Sequence, residues 1–183
     1  KLVRSFSEDK NYKFIQNDVK ARDLLLEEMS DCEYLIAGAA MIGGISYFHD
    51  YAYDLLSENE KIISTTTDIA IECQKNHKLK RTVFLSSSMV FESSDVFPTK
   101  EVDINNIPPP ISSYGFQKLA VEYFARAANE QYGLEYSIAR PFNCVGIGEI
   151  KAIKQVANSD KPYTVFTSAI SGKEQCSCVF LEI

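Results

Sequence analysis

At 183 residues the chain is long enough for one domain with a substantial core and too short for two comfortable ones. Its 45% hydrophobic and 24% charged residues are the balance of an ordinary globular protein, which excludes a disordered tail. A net charge of -6 leaves no basic patch for nucleic acid, and the one local cluster, Lys75, Lys78, Lys80 and Arg81, reads as the solvated end of a helix.

The predicted elements alternate along the chain. Residues 12–16 (YKFIQ) predict a short strand, and 22–29, with Leu24, Leu25 and Leu26, a short helix. Residues 33–37 (EYLIA) predict a buried strand that runs into the glycine-rich stretch 38–44. Leu55, Leu56, Asn59, Ile62, Ile63, Thr66, Ile69, Ala70 and Cys73 then recur at spacings of three and four, which places them on one face of a long helix. Residues 81–86 (RTVFLS) predict another buried strand, and 92–112 a long loop marked by Pro98 and the triplet Pro108, Pro109, Pro110. Ser113 is the expected cap of a second long helix reaching about Tyr132, with Gly133 as its stop. Residues 134–140 predict a last strand, halted by Pro141.

Apolar strands separated by helices imply an α/β fold, a doubly wound parallel sheet of Rossmann-like type with both faces covered. Ligands in such sheets sit beyond the carboxyl ends of the strands. Asn17-Asp18, Gly38-Ala39-Ala40, Ser86-Ser87-Ser88 and Pro141-Phe142-Asn143 all lie at such ends and are expected to converge on one crevice.

The five cysteines, Cys32, Cys73, Cys144, Cys176 and Cys178, are odd in number and irregular in spacing, so neither a disulfide framework nor a zinc site is expected. A reducing, cytoplasmic setting fits them. No apolar run is long enough to cross a bilayer, and residues 1–10 are too polar for an export signal.

Chemistry concentrates in Tyr114-Gly115-Phe116-Gln117-Lys118, where Tyr114 and Lys118 fall one turn apart on the same helix face. A phenol titrates near about pH 10, and an ammonium held beside it favours the phenolate. Tyr114 is then a candidate base for a substrate hydroxyl whose carbon loses hydride to a nicotinamide. A serine at the end of the preceding strand, in Ser86-Ser87-Ser88, is placed to hold the same substrate oxygen.

The order Ser87-Ser88-Met89-Val90-Phe91, then Tyr114 to Lys118, then Arg140-Pro141-Phe142-Asn143 resembles the extended short-chain dehydrogenase/reductase family. The likeness is to its nucleotide-sugar epimerases and dehydratases, and it spans residues 14–149. It implies catalytic roles for Ser87, Tyr114 and Lys118, with Ser86 and Ser88 as rivals of Ser87 for the catalytic hydroxyl. Ser86 is then a cofactor contact and Ser88 a substrate contact. It implies an NAD site, NADP not being excluded, formed by Asp18 at the adenine, Ala39 and Ala40 at the diphosphate and ribose, Lys118 at the nicotinamide ribose, and Pro141 and Phe142 around the nicotinamide. Asn59 looks like the helix asparagine that supports this site from beneath, and Asn143 like the residue that holds the nucleotide phosphate of the sugar substrate. The Gly43-Gly44 loop after the Ala-Ala pair looks closest to GDP-mannose epimerases, with His49 at its end. Relatives pair through the helices carrying Asn59 and Lys118, so a homodimer is implied.

Two departures stand out. Phe91 replaces the usual Tyr and Glu92 the usual Gly, which alters packing and substrate fit. The family's Gly-rich phosphate turn is not found ahead of the first strand. The expectation is therefore a fragment, with residues 1–150 a partial dinucleotide-binding domain and 151–183 a remnant of the substrate-binding region or a divergent tail. Two other functions remain open on sequence: a reductase of a non-nucleotide ketone or alcohol on the same fold, and a non-catalytic remnant that serves as a binding or structural domain.

Overall fold

A computed structural model describes residues 10–42, 50–142 and 178–180. Helix α1 (Arg22–Met29) leads into strand β1 (Tyr34–Ala37), and helix α2 (Ala52–Asn76) into strand β2 (Arg81–Leu85). Helix α3 (Ser113–Tyr132) precedes strand β3 (Tyr136–Ala139), and strand β4 comprises Cys178–Phe180.

The sheet is parallel throughout, in the order β3-β2-β1-β4. Leu35 lies opposite Thr82 and Phe84 opposite Ile138, so the three helix-linked strands end at nearly the same level. That alignment is what gathers the residues following each strand. Cys178–Phe180 occupies the far side of β1, opposite residues 34–36.

The long helices form as their periodicity predicts. Along α2 the buried positions are Leu55, Asn59, Ile62, Ile63, Thr66, Thr67, Ile69, Ala70 and Cys73, a stripe that packs on β1 and along α3. Helix α1 packs on α2, and α3 covers β2 and β3, so the described helices form one layer. Phe84, Leu35, Met29, Ile69 and Leu134, all fully buried, fill the space between that layer and the sheet.

Helix α3 starts one residue earlier than expected. The cap is Ser112, whose hydroxyl accepts from the Gly115 N–H at 3.0 Å, and Ser113 is the first helical residue. Either serine satisfies the capping pattern, and contacts to Glu92 described below select Ser112. The helix ends at Gly133, in the left-handed region at φ 71°, with its N–H bonded to the Asn129 carbonyl at 2.8 Å.

Residues 12–16 do not form the predicted strand. No described strand pairs with them, and Tyr12, Phe14 and Ile15 are 49%, 71% and 41% exposed, so burial does not hold an extended segment there. The long loop 92–112 carries a 3-10 turn at Glu101–Asn105. Among the described residues no helix is long and apolar enough to cross a membrane.

Candidate active site

The three serines after β2 have different partners. Ser86 is buried, and its hydroxyl donates to Glu122 Oε1 at 2.7 Å. Ser87 is also buried, caps the 3-10 turn Ser88–Phe91, and accepts from the Met89 N–H at 3.2 Å. Its hydroxyl donates to no described residue. The Ser88 N–H is held by the Pro141 carbonyl at 3.1 Å, which ties the serine turn to the end of β3.

Tyr114 is half-buried in the first turn of α3. One turn later Lys118 reaches back to the end of β2, where its ammonium donates to the Leu85 carbonyl at 3.0 Å. Its nitrogen stands 5.9 Å from the centre of the Tyr114 ring. Only 7% of Lys118 is exposed, and this burial lowers its pKa by disfavouring the charged form. A carbonyl and an aromatic face partly replace the water that the ammonium has lost.

The seam between the serine turn and α3 is narrow. A Cβ on Gly115 would stand 2.6 Å from Pro110 Cβ and 2.9 Å from the Met89 carbonyl oxygen. Real Cβ atoms do not approach so closely, so Gly115 is what lets the Tyr114 turn lie against the Ser87 turn. Glu92 closes the same seam from outside: its carboxylate accepts from the Ser112 N–H at 3.0 Å and from the Ser112 hydroxyl at 2.8 Å. An anion at a helix N-terminus is also favoured by the helix dipole.

Asn59 is 1% exposed and spends both ends of its amide on one loop residue. Its Oδ1 accepts from the Met41 N–H at 2.7 Å and its Nδ2 donates to the Met41 carbonyl at 2.9 Å. That clamp fixes the path of Ala39-Ala40-Met41 beyond β1, with Ala39 and Ala40 half-buried. Beside it, Gln16, Asn17, Asp18, Val19, Lys20, Met41, Glu58 and Ile62 line a cavity of about 580 Å³. Val19, Met41 and Ile62 supply apolar walls for a flat ring, and Asp18 supplies an acceptor at the edge. Lys20 and Lys61 flank Glu58, and their hydrogen bonds hold its carboxyl down at about 2.

Pro141 and Phe142 are exposed beyond β3, Phe142 by 57%. Asn143, Gly43, Gly44 and His49 lie outside the described residues, as do Cys144 and Cys176. No cluster of metal-ligating side chains occurs among the described residues.

Two carboxylates that sequence reasoning did not single out as site residues are central here. Glu92 was visible only as a departure from the family's glycine. Glu122 is wholly buried, four residues after Lys118. Its Oε1 accepts from Arg140 Nε at 2.7 Å and its Oε2 from Arg140 Nη2 at 2.8 Å, a two-pronged pair that raises the arginine pKa. The available signal was a charged residue on the apolar face of α3, among Val121, Ala125 and Ala128.

The strand-end serines, the Tyr114–Lys118 turn and the half-buried Arg140 together form a site of recognisable type. The profile of the NAD dependent epimerase/dehydratase family matches residues 2–175. The chain belongs to that family. Its fold is Rossmann-like, as in solved epimerase and dehydratase structures. GDP-L-fucose synthase of Dictyostelium discoideum is 29% identical over 115 residues, 62% of this chain and 35% of that protein. The chain thus spans about a third of the length of the curated relatives it matches.

Among solved structures, UDP-N-acetylglucosamine 4-epimerase from Methanobrevibacter ruminantium M1, in complex with UDP-N-acetylmuramic acid, is 27% identical. It superposes with a TM-score of 0.63 over 76% of this chain and 42% of its own. A dTDP-glucose 4,6-dehydratase from Streptomyces venezuelae shares the fold at 23% identity and a TM-score of 0.65, over 75% of this chain and 40% of its own.

Proposed function

We propose that the protein is an NAD-dependent enzyme that converts a nucleotide sugar by way of a keto-sugar intermediate, as an epimerase or dehydratase. The observation that carries this reading is the placement of Tyr114 and Ser87 across one glycine-gated seam, with the Lys118 ammonium 5.9 Å from the tyrosine ring. Tyr114 takes the proton of a sugar hydroxyl. Ser87, whose proton has no described acceptor, donates to the same sugar oxygen and fixes its position. Lys118 places a positive charge beside the phenolate that accepts this proton. Ser86, committed to Glu122, serves the frame, which supports Ser87 over its neighbour as the catalytic hydroxyl.

The residues present fit an NAD molecule. The cavity beside Asp18 has the apolar walls and polar edge that an adenine ring needs, and Asn59 holds the Ala39-Ala40 loop where the diphosphate and ribose would lie. When bound, NAD supplies the acceptor for the hydride leaving the sugar carbon. Pro141 and Phe142 form the wall at the nicotinamide end, and Lys118 is the ribose contact. Asn143 is assigned to the nucleotide phosphate of the substrate and Ser88 to the sugar. A homodimer through α2 and α3 is supported by Tyr53, Phe116 and Tyr123, which are 79%, 47% and 62% exposed on those helices.

GDP-sugars are the first substrates to test, since the curated relatives are GDP-L-fucose synthases. The full-length protein is incubated with NAD and a panel of GDP-, UDP- and dTDP-sugars, and the products are weighed by mass spectrometry and separated by chromatography. The expected result is an isomer of one nucleotide sugar, or that sugar less one water. If every nucleotide sugar is returned unchanged while a small ketone is reduced in a parallel incubation with NADH, the reading is wrong.

A further inference from the structure

Glu122 carries no role in the reaction as described so far, yet it is the most connected side chain near the site. It is completely buried, and three separate elements meet on it. From the end of β2, Ser86 donates to Oε1 at 2.7 Å; from the end of β3, Arg140 donates to both oxygens at 2.7 and 2.8 Å. Glu122 itself lies one turn after Lys118 on α3, and the Ser86 hydroxyl is also 3.4 Å from the Lys118 carbonyl. Arg126 adds a more distant cation at 3.8 Å.

The contacts continue outward from this hub. The Ser86 N–H bonds to the Ala139 carbonyl at 2.8 Å and the Ser88 N–H to the Pro141 carbonyl at 3.1 Å. Arg140 reaches the Glu101 carbonyl at 3.2 Å and stands over the Phe91 ring at 5.1 Å. Every segment that presents a candidate catalytic group is therefore tied to one carboxylate.

We infer that Glu122 is a positioning residue, whose bridge to Ser86 and Arg140 sets Ser87 against Tyr114 and Lys118. The inference rests on the function proposed above and deepens it. An ion pair on a wholly buried carboxylate is an expensive way to hold a fold, because burial strips Glu122 of water while Arg140 is only half-buried, and well-packed apolar residues of similar volume often replace such pairs without loss of stability. What apolar residues do not reproduce is direction: the forked guanidinium and the serine hydroxyl fix the carboxylate, and through it two strand ends, in one orientation.

The test follows from that separation. Three proteins are compared in full-length form: wild type, the double variant Glu122→Met with Arg140→Met, and Ser86→Ala, which leaves the ion pair whole. Thermal stability, kcat, KM and the amide exchange rates of Ser86, Ser87 and Ser88 are measured. The double variant is expected to keep its Tm while the serine amides exchange on the order of tenfold faster. Its kcat is expected to fall by on the order of a hundredfold, the cost of a misplacement of about an ångström, with little change in KM. Ser86→Ala is expected to show the same pattern at smaller amplitude.

A double variant with unchanged exchange and unchanged kcat would overturn the inference, since the pair would then be structural only. If the double variant does not fold, Ser86→Ala decides alone: wild-type exchange and kcat overturn the assignment. If the wild type turns over no nucleotide sugar, the proposed function fails, and the exchange rates still decide whether Glu122 holds the serine turn.

Discussion

Adding a single methyl group at Gly115 tests the seam on which the site depends. In Gly115→Ala the new carbon would lie 2.6 Å from Pro110 Cβ and 2.9 Å from the Met89 carbonyl oxygen, with the Glu92 carboxylate at 3.0 Å. The carboxylate can swing aside, but the proline ring and the Met89 backbone cannot move without shifting their segments. Overpacking of this kind costs roughly 1–3 kcal/mol. Alanine recovers at most about 1 kcal/mol of helix propensity, and less than that in a first turn. The net loss is then about 1–2 kcal/mol, which for a chain of this size lowers Tm by roughly 2–8 °C. The Met89 N–H is bonded to Ser87 Oγ, so displacing Met89 also displaces the hydroxyl proposed to hold the substrate oxygen. The expected kinetic effect therefore exceeds the thermal one, at up to about a hundredfold in kcat for a shift of about an ångström. Scanning calorimetry and initial-rate kinetics on the full-length protein read both. Removing the carboxylate as well, with Glu92→Ala, should restore little, because the two rigid neighbours remain. A Gly115→Ala protein with unchanged or raised Tm and unchanged kcat would refute the reasoning.

Arg140→Met alone takes the two-pronged partner from buried Glu122 and leaves it the Ser86 hydroxyl and Arg126 at 3.8 Å, so its denaturant midpoint should report a loss of up to about 3–5 kcal/mol, whereas the Glu122→Met, Arg140→Met pair should not. Asn59→Leu removes both hydrogen bonds to the half-buried Met41 backbone; a loss of roughly 0.5–1.5 kcal/mol for each bond and a weaker NAD affinity by calorimetry are expected. Lys118 has a lowered pKa in the folded state, so the unfolded chain binds more protons between that value and the ordinary 10.5. The stability of the wild type relative to Lys118→Met should therefore rise as pH increases toward 10.5, and a difference that falls with pH in urea titrations would contradict the burial of a charged lysine.

Much of the fold was legible because it rests on periodicity. The stripe from Leu55 to Cys73 and the glycine stop at Gly133 are local signals, and both appear where the spacing put them. Residues 12–16 carried the same apolar content as a strand, but a strand needs a partner and a covering layer, neither of which is written in five residues. The candidate site was legible as three motifs in order, since Ser87, Tyr114 and Arg140 keep recognisable neighbours. Its connections were not. That Ser86 is committed to a carboxylate depends on Glu122, which lies 36 positions from it and meets it only in the folded chain. The same holds for Gly115, whose need for a missing Cβ comes from Pro110 and Met89 on other segments.

The central claim is that Tyr114 removes a proton from the substrate hydroxyl. Tyr114→Phe in the full-length protein deletes only the phenolic oxygen from a half-buried side chain, so the fold and NAD binding should be kept. Turnover of the nucleotide sugar should fall by roughly 10²–10⁴-fold, the usual worth of a positioned acid–base group, with KM little changed. Wild-type turnover by the Tyr114→Phe protein would contradict the account.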